Sequence, residues 1–148
     1  RVISFCEKNI GLKVPDIDKF NKDDIEILNN FKINFENLKN QIDNQNINFY
    51  LNFIVDQLFK ANKYFNDQEP WKKKADKKRL NTIVYVALEI IRKISILLYP
   101  IIPESSLKAL HIFDISEKDI DFETILDNNF LNKGDKINKI QILFNKIT

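Results

Sequence analysis

Residues 80–98, LNTIVYVALEIIRKISILL, decide the fold. Wound at 3.6 residues per turn, Leu80, Ile83, Val84, Ala87, Leu88, Ile90, Ile91, Ile94, Leu97 and Leu98 leave almost no polar face. That is the pattern of a helix enclosed by neighbours, the central post of a bundle. The rest of the chain must supply those neighbours.

Upstream, residues 1–9 read as the tail of a helix stopped by Gly11 and kept from resuming by Pro15. Asn21 and Asp24 are spaced as a helix cap, and Ile25, Leu28, Phe31, Phe35, Leu38 and Ile42 then recur at helical spacing, predicting a helix over 21–43. The polar cluster 43–46 breaks it. Ile47, Tyr50, Leu51, Ile54, Leu58, Ala61 and Phe65 mark one stripe of a third helix. A polar loop follows, and Pro70 is suited to the first turn of a new helix, where its missing N–H costs nothing. Pro100 and Pro103 end the central helix, and Pro103-Glu104-Ser105-Ser106 opens a short one reaching about His111. Beyond Phe113 the segments are short: a helical turn over 122–126, a turn at Lys133-Gly134-Asp135, and alternating Ile140, Ile142 and Phe144. The expectation is an all-α fold, an antiparallel bundle of about five helices over 1–112 with its first helix cut short. An irregular extension over 113–148 should pack back on the bundle or on a domain outside this chain.

Composition bounds the function. With 148 residues there is room for one domain and its core, and with Gly 2 and Pro 4 turns are rare. Lys+Arg 23 against Asp+Glu 21 gives net +2, too little for a protein that coats DNA, so any RNA binding should be local and shape-specific. The lone Cys6 excludes an internal disulfide and fits a reducing, cytoplasmic setting. Neither Cys6 nor His111 has partners for a metal site or a nucleophile pair, so no catalytic or metal-binding residue is expected. The apolar run is interrupted by Glu89, Arg92, Lys93 and Pro100, short of a membrane span. There is no Met, even at position 1, as expected of a cut-out domain.

One tripeptide points to chemistry. Glu69-Pro70-Trp71 carries the single Trp, expected at a helix entrance and followed by Lys72, Lys73 and Lys74. A flat π-face beside basic residues suits stacking an unpaired base while holding neighbouring phosphates. An aromatic after a helix-starting proline can equally fold inward as a core anchor. Lys77, Lys78 and Arg79 extend the basic run, but at about 100° per residue these six cations spread round a helix, mostly into solvent.

The run 61–72, ANKYFNDQEPWK, resembles the A-N-x-Y-x-x-x-x-P-W-K segment of bacterial-type methionyl-tRNA synthetases, in the helical anticodon-binding domain C-terminal to their catalytic domain. Arg79-Leu80 and residues 89–103, EIIRKISILLYPIIP, are similar to that family's E-x-L-R-x-I-A-I-L-L-x-P-F-M-P run, with Ile101-Ile102 in place of Phe-Met. Residues 134–147, GDKINKIQILFNKI, resemble its closing segment, with Ile140-Gln141 and Asn145 where prolines are usual.

The resemblance implies recognition of the C-A-U anticodon loop of methionine tRNA, with the first anticodon base stacked on Trp71. It sets Arg1 in the position of an arginine that hydrogen-bonds anticodon bases, its Asn partner lying before residue 1. Lys8, seven residues on and on nearly the same helix face, could add a basic contact near the third base. Asp67 sits where the family can place an acidic residue that repels wrong anticodons. Asn62, Tyr64 and Arg92 suit structural work instead: Tyr64 burying its ring with a wet hydroxyl, Arg92 pairing with Glu89. The implied partners are the methionine tRNA anticodon loop and the catalytic domain of the same parent chain. Neither the H-I-G-H nor the K-M-S-K-S type signature occurs here, so ATP and Mg2+ belong to the parent enzyme, a class I methionine-tRNA ligase, and no cofactor to this piece. Two alternatives stay open: the anticodon domain of another class I synthetase, such as the isoleucine, valine, leucine or cysteine enzymes, and a helical protein-interaction module with Trp71 as a buried anchor.

Overall fold

The computed structural model describes residues 1–144, and the end of the closing segment, including Asn145, lies outside them. Five α-helices appear among the described residues: α1 Val2–Asn9, α2 Lys22–Asp43, α3 Ile47–Asp67, α4 Lys77–Leu98 and α5 Pro103–Leu110. Single 3-10 turns follow at His111–Phe113, Glu117–Asp119 and Phe122–Leu126, and one at Pro70–Lys72 separates α3 from α4. The described residues form no strand, only an isolated antiparallel bridge between Lys13 and Lys136.

Local chemistry sets the helix ends. Asn21 and Asp24 form a reciprocal cap at the start of α2: the Asp24 amide donates to Asn21 Oδ1 at 3.0 Å and the Asn21 amide to Asp24 Oδ2 at 2.9 Å. Asn46 caps α3 by accepting the Phe49 amide, after a reversal in which Gln45 takes a φ of 59°. Gly11, at φ 95°, closes α1 in the left-handed conformation that a residue without Cβ adopts freely.

Helix α4 is the central post. Ile83, Val86, Ala87 and Ile90 pack toward Leu28, Phe31, Phe35, Tyr50 and Ile54 of α2 and α3. Val84, Tyr85 and Leu88 pack toward Ile3 and Cys6 of α1 and toward Val14, Leu131 and Ile137. Each fully buried aliphatic side chain contributes about 1.5–3 kcal/mol, so a helix that buries residues toward both clusters holds the two halves together. The expected α2 stripe holds in its middle and loosens at its ends, at Ile25 and Ile42, whereas that of α3 loosens at Ile47 and again at mid-helix, where Leu58 is exposed and Gln57 buried.

The extension lies on the bundle. Ile125 and Ile137 are wholly buried. The Val14 amide donates to Asp135 O at 2.8 Å, Gly134 N to Val14 O at 2.9 Å, and Ile137 N to Leu12 O at 3.0 Å. The stretch containing Ile140, Ile142 and Phe144 is irregular, with all three side chains exposed.

The charged residues of α4 explain this docking. Glu89, Arg92 and Lys93 are fully enclosed. Arg92 Nε donates to Glu89 Oε2 at 2.9 Å, and its Nη atoms reach Thr124 Oγ1, Thr124 O and Asp127 O. Glu89 Oε1 accepts the Leu131 amide at 2.8 Å, and Lys93 Nζ donates to Asn128 Oδ1. A buried charge needs such a full set of partners, and the extension supplies them from its backbone and side chains. Burial pulls the Lys93 ammonium down to about 8.

Candidate nucleic-acid interface

Trp71 does not open α4. It sits in the separate Pro70–Lys72 turn, and α4 begins only at Lys77, because Asp76 accepts the Arg79 amide at 3.0 Å and so caps the helix there. Asp76, three residues before Arg79, was the available signal for this later start. Between α3 and the turn, Glu69 adopts φ 45°. A non-glycine residue rarely takes that left-handed region, and the reversal turns the chain outward at Trp71.

The indole is 39% exposed, neither a core anchor nor fully free. Phe65 of α3 meets it at a ring-centroid distance of 6.3 Å and an interplanar angle of 65°. The Arg1 guanidinium lies 5.6 Å from the Trp71 ring centroid and 5.7 Å from that of Phe65, within cation–π range. Arg1 Nη2 donates to Asn66 Oδ1 at 2.8 Å. Residues 65–66 and 71 thus meet Arg1, distant in sequence, at one corner: an aromatic surface with open area, a guanidinium, and an exposed amide. Asn66 was missed from the sequence, since only its contact across the chain to Arg1 distinguishes it from other surface asparagines.

The other expected residues lie further off. Lys8 is exposed in the last turn of α1, two helical turns or about 10 Å along the axis from Arg1. Asp67 is exposed at the end of α3 and paired with Lys63 at 2.5 Å. Of the basic run, Lys72 pairs with Glu69 at 2.7 Å, while Lys73, Lys74, Lys77 and Lys78 face solvent.

Arg79 turns inward instead. It meets Asp24 of α2 with both prongs, Nη1 to Oδ2 at 2.6 Å and Nη2 to Oδ1 at 3.0 Å, and Nη2 also donates to Gln68 Oε1 at 2.6 Å. Gln68 Nε2 donates to Asp23 Oδ2 at 3.0 Å. The Tyr64 hydroxyl, expected to be wet, is buried and donates to Asp24 Oδ1. A ring at that position of α3 points at the start of α2, where a carboxylate with no water needs donors. Burial alone would raise the Asp24 carboxyl; Arg79, Tyr64 and the Asn21 amide outweigh it and hold the group below the usual carboxylate range.

The rest of the surface offers a different chemistry. On the far side of Arg1 and Phe65 opens a groove of about 480 Å³ walled by Leu58, Ile90, Ile94, Leu98 and Ala109. Its aliphatic walls give a base edge or phosphate almost nothing to bond. Burial pushes the Cys6 thiol up to about 11, far from a nucleophile. No three His, Cys, Asp or Glu side chains among the described residues are grouped to hold a metal ion. No helix among them is long and apolar enough to cross a membrane.

Comparison with known proteins gives one answer. A family model described as the anticodon binding domain of methionyl tRNA ligase matches residues 14–148. The methionine–tRNA ligase of Brucella suis is 33% identical over 127 residues, which is 85% of this chain and 25% of that protein. That of Pyrococcus abyssi is 30% identical across 100% of this chain and 20% of its own length. Among solved structures, the apo form of Mycobacterium tuberculosis methionyl-tRNA synthetase superposes with a TM-score of 0.90 at 27% identity, covering 100% of this chain and 30% of that one. The same enzyme in complex with methionyl-adenylate gives 0.89 at 28% identity, over 99% of this chain and 29% of that one. The chain therefore spans about a quarter of the length of these relatives, and it belongs to the family of methionyl-tRNA ligase anticodon-binding domains.

Proposed function

We propose that this domain reads the C-A-U anticodon of methionine tRNA on behalf of a methionine–tRNA ligase. The observation that carries the reading is the half-open indole of Trp71 beside a guanidinium and an amide. A loop base leaves its own stack and lies on the open part of the Trp71 ring. Arg1 supplies N–H donors, and Asn66 both a donor and an acceptor, to Watson–Crick edges. Lys73, Lys74, Lys77 and Lys78 border the site and contact backbone phosphates, which fix register without reading sequence. Lys8 extends the basic surface along α1. Asp67 disfavours other anticodons by placing a carboxylate near base acceptors.

The whole ligase's ATP-dependent attachment of methionine, its Mg2+ and its cytoplasmic setting are part of the same proposal. The described residues do not fit ATP or the metal: neither Gly11 nor Gly134 opens a helix, and no three His, Cys, Asp or Glu side chains among them are grouped to hold an ion. That chemistry belongs to other parts of the ligase.

The test uses the single Trp. Titrating this chain with an RNA hairpin carrying C-A-U should quench its fluorescence, and changing the first anticodon base should weaken binding. Equal binding of both hairpins, or no quenching, would overturn the assignment.

A further inference from the structure

The Trp71 turn hangs from a clamp that the stacking contact does not itself explain. The ends of three helices converge on one carboxylate. Asp24, at the start of α2, has no exposed surface; its two oxygens accept from Tyr64 near the end of α3, from both prongs of Arg79 in the first turn of α4, and from the Asn21 amide. Asp24 is already satisfied by these donors, yet Arg79 Nη2 is shared onward to Gln68 at 2.6 Å. Gln68 caps α3 and directly precedes Glu69, the residue with φ 45°. Its second polar atom is fixed by Asp23 at 3.0 Å.

This arrangement answers a physical need. A left-handed φ at a residue with a Cβ is unfavourable and persists where the surroundings over-determine it. The turn's backbone bonds are local, Lys72 N to Glu69 O and Lys73 N to Pro70 O, and one long bond, Glu69 N to Asn66 O at 3.2 Å, ties its entry to α3, so that with buried Pro70 as the other restraint a swing about residues 68–69 would break little backbone bonding. Gln68, held from α4 on one side and from α2 on the other, blocks that swing.

We infer that Arg79, acting through Gln68, is the positioning residue of the Trp71 turn, setting the direction in which the indole meets the RNA. The inference rests on Trp71 as the stacking residue, and the test separates the two. Arg79→Lys also disturbs the buried Asp24, so the informative variant is Gln68→Ala, at a half-buried helix end. With the C-A-U hairpin as probe, Gln68→Ala should bind about tenfold more weakly, the scale of one lost hydrogen bond to a charged group. Its melting temperature and the salt dependence of binding should hardly change, because phosphate contacts remain. Time-resolved anisotropy of the single Trp should show a larger amplitude of fast indole motion. Gln68→Glu alone should also weaken binding by facing Asp23, and adding Asp23→Asn should restore it by exchanging donor and acceptor.

The decisive comparison is made in a Trp71→Ala background, where Gln68→Ala should cost nothing further. Losses that simply add, or parental binding by Gln68→Ala while Trp71→Ala is weak, would overturn the positioning role and leave the stacking role intact. Parental binding by Trp71→Ala would overturn both.

Discussion

Two arginines among the described residues lie over aromatic rings, and their surroundings separate a structural role from the proposed recognition role. Arg92 sits 4.3 Å from the centroid of Phe130, fully buried, with bonds to Glu89, Thr124 and Asp127 occupying its guanidinium. Arg1 sits 5.6 Å from the centroid of Trp71, exposed, with one side-chain hydrogen bond among the described residues. A buried guanidinium with four of its five N–H donors bonded within the fold can only hold the fold. One with donors to spare beside an open ring can take a ligand.

That contrast is most severely tested at its enclosed end. Arg92→Ala leaves Glu89 buried without its ion partner and frees the 122–127 turn, and should cost on the order of 3–5 kcal/mol, read from urea unfolding. If stability barely moved, the enclosed cluster would not be structural. At the open end, Trp71→Ala should weaken binding of the C-A-U hairpin by about 1–3 kcal/mol while the unfolding midpoint shifts little. A variant that unfolds but binds would reverse the roles assigned to the two regions.

A pH series sharpens the same distinction. Lys93 has a folded pKa of about 8, below the ordinary lysine value of about 10.4, so between those values the unfolded chain binds more protons than the folded one. Stability should rise with pH across that window, by about 1 kcal/mol per unit at most, and Lys93→Met should flatten the slope. Asp24 works in the opposite range: its lowered pKa contributes stability above about pH 4, the ordinary carboxylate value, lost as the pH falls through the folded value. Asp24→Asn should blunt that acid limb. The smallest effect is expected at Asp67, whose pair with Lys63 is exposed on both sides and screened by solvent. Asp67→Asn should leave the melt unchanged and relax discrimination between C-A-U and altered hairpins.

How far the sequence reached follows from whether a feature is local. The α2 cap at Asn21 and Asp24, the proline starts and the apolar run of α4 depend on residues a few positions apart, and each was legible. Trp71 stood out as a candidate base platform through its basic neighbours and the family pattern, and its ring keeps open surface. Its turn is not the expected start of α4, because Pro70 is a start signal whether or not the helix continues, and Asp76 supplies the competing cap. Tyr64, Arg79 and Asn66 were beyond reach for another reason. Their partners lie 40, 55 and 65 positions away, and no periodicity encodes a meeting of helix ends. The Arg92–Glu89 pair was legible from its i, i+3 spacing, but the partners in the extension that enclose it and Lys93 were not.

The pairing of residues 12–14 with 134–137 bears on how the chain is made. Val14 and Ile137 lie in the same buried cluster as Ile3 and Cys6, so that half of the interior has contributors from near both ends of the sequence. On a ribosome, α2 and α3 can fold together as soon as they emerge, since their contacts are close along the chain. The cluster around Tyr85 must wait for residues 131–137 to emerge, and until then its apolar side chains are a surface for chaperones to cover.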